Sequence, residues 1–432
     1  MSRPLLVRGG RLVDPAAGVD GDLDVRLAEG KVAEVGPRLP ANDAEVFDAK
    51  GLLVFPGFID LHAHLREPGR EYAETIATGL KAAAAGGFTA VCAMPNTEPV
   101  ADNRAILEFV VSKGRGVKGT RLYPIGAITR DQKGEDLAEF GEMQVAGAVA
   151  LSDDGKWLAN GSLLRRAFEH ASLFGLPIIQ HAEDPTLSRG APMHEGAVST
   201  RLGLPAQPAI AETAAVARDL LVAELANGRL HLAHLSVGRS LDLVRLARSR
   251  GLAVTCEVTP HHLVLTDEEV SRSGFSTNTK MNPPLRERVD AEALAAGLAD
   301  GTVDAIATDH APHHEDEKAV DFETAPFGIV GLETAAALVY DRLVSTGRLP
   351  CARFAALFSA GPAKAFGLPG GTLATGSPAD VTLFDPKRTW TVDPARFVSL
   401  ARNTPFAGWT LCGRVLKVFV AGRQRFGEGA VG

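Results

Sequence analysis

Between residues 56 and 366 the chain repeats one pattern: a short, nearly continuous apolar run, then a stretch rich in alanine and leucine that reads as helix. The runs are FIDLH, FTAVCAMP, RLYPIGAIT, GAVALSDDG, LPIIQHAE, RLHLAHLS, LAVTCEVTP and VDAIATDHAP. Strands apolar on both faces belong to parallel sheets covered on both sides, whereas a sheet with one wet face alternates apolar and polar residues. Eight such strands over about 300 residues are the count of a (β/α)8 barrel. An open doubly wound sheet is the alternative, but no GxGxxG follows the first strand, which weighs against a dinucleotide-binding version.

The two ends of the chain read differently. LLVRGGRLVD, LDVRLAEGKVAEVG and AEVFDAKGLLVFPG near the start, and GTLATGSPADVTLFD, TWTV and CGRVLKVFVAGRQ near the end, are short β-rich runs broken by glycine. That is the texture of antiparallel hairpins. Neither end carries enough strands for a robust sheet, so the economical arrangement is one small composite β-sandwich domain from residues 1–55 and 367–432, with the barrel over 56–366.

Composition excludes several classes of function. No segment approaches the roughly 18 unbroken apolar residues of a membrane span. Lys plus Arg number 45 against 52 Asp plus Glu, a formal charge of -7, so the surface lacks the basic excess that a nucleic-acid partner demands. The start, MSRPLLVRGGRLVDPAAG, has no apolar secretory core. Cys92, Cys256, Cys351 and Cys412 lie far apart with no CxxC spacing. A reduced, cytoplasmic protein is expected, in which any metal is held by histidine and carboxylate.

In a barrel the C-terminal ends of the strands converge on one face, where active sites are built. Strand one ends in His62-Ala63-His64-Leu65-Arg66, and side chains two apart in a strand share a face, so both imidazoles can meet one ion. Strand four ends in Ser152-Asp153-Asp154-Gly155, strand five in Gln180-His181, strand six in Ala233-His234 and strand eight in Thr308-Asp309-His310. Taken singly, most have plain readings: packed imidazoles, an Asx turn, hydrogen-bonded histidines. The acid after AIAT is costlier, since a carboxylate in a barrel must be paired or metal-bound. One cluster of four His and two Asp explains all five strand ends together. Imidazole and carboxylate without thiolate suit a catalytic Zn²⁺ or similar divalent ion.

This set resembles the amidohydrolase superfamily. Within it, PGFIDLHAHLREPG, AMPNTEP, KMNPPLR, ATDHAPH and PFGIVGLET are similar to the motifs of dihydroorotases of the bridging-aspartate type, and the resemblance runs over nearly the whole chain. It implies one or two Zn²⁺ ions per subunit. His62 and His64 would hold one with Asp309, His181 and His234 the second, and Asp153 would bridge them. Hydantoinases bridge with a carboxylated lysine, whereas the strand-four residue here is an acid and Lys156 falls beyond the turn.

On the substrate side the resemblance implies that Arg66 offers a bidentate fork to a carboxylate, with His64, Asn96, Asn282 and His313 adding contacts. Main-chain groups at Phe327 and Gly328 would hold the ring, and Asp309 would act as base and then acid. The implied reaction is the zinc-dependent, reversible cyclisation of N-carbamoyl-L-aspartate to L-dihydroorotate in pyrimidine biosynthesis. A homo-oligomer is expected, with aspartate transcarbamoylase as a candidate partner. A hydantoinase or allantoinase, and a catalytically silent scaffold paralogue, are the alternatives. His261 and His262 read as a solvated or supporting loop pair, and the charged run 315–318 as an exposed, mobile loop.

Overall fold

The computed structural model describes residues 3–427. Each apolar run supplies one barrel strand: Phe58–Ala63, Phe88–Ala93, Arg121–Pro124, Leu151–Ser152, Ile178–Gln180, Leu230–Leu232, Val254–Val258 and Ala305–Ile306. Strands one to three pair in parallel, as do strands four to eight. Parallel bridges Gly126–Leu151 and Ala63–His310 close the ring. Asp60 fastens the same closure, accepting from the Thr308 N–H at 2.9 Å and the Thr308 hydroxyl at 2.6 Å.

Side chains fill the barrel, so it is a core and not a pore. Ile59, Leu61, Ala90, Cys92, Ile125, Ala150, Ile179, Ala233 and Ala305 pack together inside it with Phe366 and Leu368. The outward faces of the strands meet the helices. The helix Ile76–Ala85, for example, begins at a Thr75–Thr78 capping box and stops at Gly86, where an added Cβ would overlap the Leu332 carbonyl.

The two chain ends join in one eight-stranded sheet among the described residues. Leu53–Pro56 is the seam: it runs parallel to Leu5–Asp14 and antiparallel to Val381–Thr391, then leads through Gly57 into barrel strand one. The sheet bends back on itself, since Lys31 bridges Pro378 and the Val32 N–H reaches the Ser377 carbonyl at 2.9 Å. Val7, Val25, Leu27, Val54, Leu383 and Phe419 fill the fold so made. Rings of Phe55, Phe58, Phe354 and Phe384 then tie sheet to barrel, with Phe354 centroids 5.5, 5.9 and 6.2 Å from the other three. Among the described residues no helix is long and apolar enough to cross a membrane.

Candidate metal centre

Strand ends one, four, five, six and eight bring their side chains to one buried point. His62 Nε2 lies 3.3 Å from Asp154 Oδ1 and 3.6 Å from Asp309 Oδ1, and His64 Nε2 lies 3.2 Å from Asp309 Oδ1 and 3.5 Å from Asp154 Oδ2. On the other side His181 Nδ1 and His234 Nε2 are 2.9 Å apart and 3.8 and 3.7 Å from Asp154 Oδ1. Two triads result, His62–His64–Asp154 and Asp154–His181–His234, with Asp154 common to both.

The donor atoms fit divalent ions. His62 Nε2 and Asp154 Oδ1 are buried 3.3 Å apart, yet neither makes a hydrogen bond, as expected of ligand atoms turned toward a shared centre and not toward each other. Burial alone raises a carboxyl's pKa, but the surrounding imidazoles outweigh it and hold Asp154 and Asp309 below the usual carboxylate range. Both are therefore ready as anionic ligands. Asp309 and His234 sit at φ 46° and 33°, a left-handed backbone that non-glycine residues rarely adopt and that clusters at functional sites.

The acid common to both triads is Asp154 and not Asp153, the residue expected from the sequence. The Asp153 carboxylate turns to the end of strand three, where it accepts from the Ile128 N–H at 2.9 Å, the Thr129 N–H at 3.1 Å and the Thr129 hydroxyl at 2.5 Å. Alternation explains the choice: Ala150 packs inside the barrel and Leu151 against the helices, so the inward face passes through Ser152 to Asp154. That small–large pattern was available in the sequence.

Supporting groups surround the cluster. Glu257, an acid inside the apolar run LAVTCEVTP, meets His62 Nδ1 at 3.1 Å and His231 Nε2 at 3.2 Å. Sequence reasoning missed it, although the argument applied to the acid after AIAT applies equally here. Asn96 Oδ1 accepts from His64 Nδ1 at 2.8 Å. Asn282 Nδ2 lies 3.1 Å from His181 Nε2 and donates to Glu183 at 2.5 Å. Both asparagines thus brace metal-side imidazoles.

Arg66 reaches the same cleft, its Nε donating to the Pro312 carbonyl at 3.1 Å and its Nη2 lying 3.5 Å from His313 Nε2. Burial and nearby Arg70 lower the guanidinium to about 10, so it stays charged at neutral pH. His313 Nε2 sits 2.8 Å from the Phe327 carbonyl. Gly328, at φ +124°, packs where a Cβ would lie 2.6 Å from Ala311 Cβ, and its N–H is engaged by the Lys280 carbonyl at 3.0 Å.

Two other expectations are revised. His261 and His262 are buried, not solvated, and His262 links Thr259 to the Pro283 carbonyl. The charged run expected as a mobile loop is a short helix, Glu315–Lys318, with Lys318 Nζ donating to the carbonyls of Pro326 at 2.7 Å and Thr277 at 3.1 Å. Glu317 and Lys318 have partners far along the chain that no sequence spacing announces, whereas Glu315 and Asp316 are exposed as expected.

Known proteins share both sequence and fold with this chain. The family described as Dihydro-orotase-like matches residues 51–240. A dihydroorotase of Anaeromyxobacter sp. (strain K) is 54% identical over 430 residues, covering 99% of each chain, and one of Pelotomaculum thermopropionicum is 53% identical over 420 residues, covering 97% of each. Among solved structures, the L-hydantoinase (dihydropyrimidinase) of Arthrobacter aurescens superposes with a TM-score of 0.88 at 26% identity, covering 100% of this chain and 97% of that one. The dihydropyrimidinase of Brevibacillus agri gives 0.84 at 26%, covering 98% and 94%. The fold agrees with these structures over nearly the whole chain, and at this identity and coverage the chain belongs to the dihydroorotase family.

Proposed function

We propose that the chain closes N-carbamoyl-L-aspartate to L-dihydroorotate and, in reverse, hydrolyses the ring amide. The observation that carries this reading is the buried guanidinium of Arg66 beside the metal-ligand cluster: the substrate brings a carboxylate, and a planar fork suits it. Zn²⁺ or a similar divalent ion, held by His62, His64 and Asp309 on one side and His181 and His234 on the other with Asp154 shared, would supply Lewis acidity that polarises the carbonyl and lowers the pKa of water toward about 7.

The remaining chemistry falls to the chain. Asp309 takes the proton of the attacking water and returns it to the ring nitrogen as the C–N bond breaks, a role worth roughly 10² to 10⁴ in rate. Arg66 and His313 hold the carboxylate, so that the ring amide lies over the cluster in a reactive orientation. Main-chain groups at Phe327 and Gly328 border that space, as Asn96 and Asn282 do from the ligand side. Self-association and pairing with aspartate transcarbamoylase belong to the same reading, and light scattering of the chain alone and of the mixture tests them.

Two substitutions and one comparison test the reading. Asp309→Asn should lower kcat by about 10² to 10⁴ while the fold survives; near-normal turnover would remove Asp309 from the reaction. Arg66→Lys keeps the charge and loses the fork, so KM for dihydroorotate should rise by about tenfold; an unchanged KM would place the carboxylate elsewhere. Assayed side by side, dihydroorotate should be turned over far faster than hydantoin or allantoin. The reverse order would favour the hydantoinase reading that the solved structures' fold also accommodates.

A further inference from the structure

Glu317 lies where the loops after strands one and eight meet. Its Oε1 accepts from the Arg70 guanidinium at 2.6 Å and the Tyr72 hydroxyl at 3.1 Å. Its Oε2 accepts from the His314 N–H at 3.0 Å and lies 3.2 Å from His313 Nδ1. Burial acts to raise this carboxyl, but the His314 N–H and Arg70 bring it to about 2, so it is an anion at neutral pH. A carboxylate only accepts, which puts a hydrogen on His313 Nδ1. Nε2, on the other side of the ring, lies 2.8 Å from the Phe327 carbonyl and 3.5 Å from Arg66 Nη2, so the imidazole is held between two acceptors beside the guanidinium.

The same carboxylate reaches Arg66 by a second route. The Arg70 N–H donates to the Arg66 carbonyl at 3.0 Å, so a closed circuit runs Arg66–Arg70–Glu317–His313 and back to Arg66. Both cleft residues are thereby held by one group that is itself engaged by partners within the chain.

We propose that Glu317 is a positioning residue for the substrate carboxylate: it fixes the ring orientation of His313 and ties it to the Arg66 turn, so that imidazole and guanidinium are held together at one edge of the cleft. The inference rests on the dihydroorotase reading and deepens it. Such a residue acts on binding and not on bond breaking, which separates it from a purely structural acid. Preassembly matters because ordering two flexible side chains at the moment of binding would consume affinity.

The test uses full-length, metal-loaded protein with Glu317→Gln and Arg70→Met. KM for dihydroorotate, kcat, metal content, and the Kd of orotate, a ring bearing the same carboxylate, are measured for each. Glu317→Gln should raise KM and the orotate Kd about tenfold, with kcat within about threefold and metal content unchanged. Arg70→Met should shift the same two quantities by less. An orotate Kd unchanged in both variants, or a loss confined to kcat, overturns the proposal. Wild-type protein that binds orotate without turning over dihydroorotate refutes the dihydroorotase reading alone, and the Kd ratio still judges Glu317. Wild-type protein that binds no orotate overturns both.

Discussion

Asp153 and Asp154 are chemically identical neighbours with opposite surroundings. Asp154 touches four imidazoles, whereas Asp153 accepts three hydrogen bonds from Ile128 and Thr129. Asp154→Asn should therefore cost metal at both positions and nearly all turnover. Asp153→Asn should keep the ligand set and weaken metal affinity by about 10- to 100-fold, the range for groups that orient ligands from outside. Metal analysis of the two purified variants distinguishes them, and equal losses would contradict the assignment. The histidines and Asp309 were legible because each polar residue interrupts an apolar strand end. The choice between adjacent acids was not settled by that rule, since both follow the strand, and only the inward–outward alternation through Ala150 and Leu151 separates them.

At the scale of elements, the strands could be read from their apolar runs because a parallel strand covered on both faces has no polar register to confuse it. Contacts between loops could not. Glu317 meets Arg70 across 247 residues and Lys318 meets the Thr277 carbonyl across 41, and nothing local marks either contact. Glu257 is intermediate: its place within strand seven was evident, its partner on strand one was not. Glu257→Gln should loosen His62 and weaken metal binding by about 10- to 100-fold with the barrel intact, as a metal titration would show. Unchanged affinity would make Glu257 a packing residue.

A second element-scale prediction concerns pH. Glu333 accepts from the Val398 and Ser399 N–H groups, joining the segment before the helix Ala335–Val339 to a late loop, and burial pushes it up to about 7. A carboxyl raised in the folded state favours folding while protonated. Its contribution is whole below the unfolded pKa near 4.5 and is lost as pH rises through about 7. The thermal midpoint of Glu333→Gln relative to wild type should therefore climb between pH 5 and pH 8. A flat difference across that range would mean that the group titrates normally.

For the whole molecule, barrel and composite sheet were both legible, the first from eight repeats and the second from the insufficiency of either end alone. The joint between them was not, because Phe354 and Phe384 lie some 300 residues from Phe55 and Phe58 and meet them only once both bodies exist. Phe354→Ala should cost about 3 to 5 kcal/mol in chemical denaturation, the range for truncating a buried ring. A loss under about 1 kcal/mol would show that the two bodies hold together without it.

Strand ends scattered over some 250 residues of sequence gather one cluster of candidate metal ligands around Asp154. Anomalous diffraction at the metal edge from metal-loaded crystals tests it most directly. Density is expected between His62, His64 and Asp309 or between His181 and His234, with Asp154 at its edge in either case. Peaks ligated by Asp153, or lying away from these imidazoles, would contradict it.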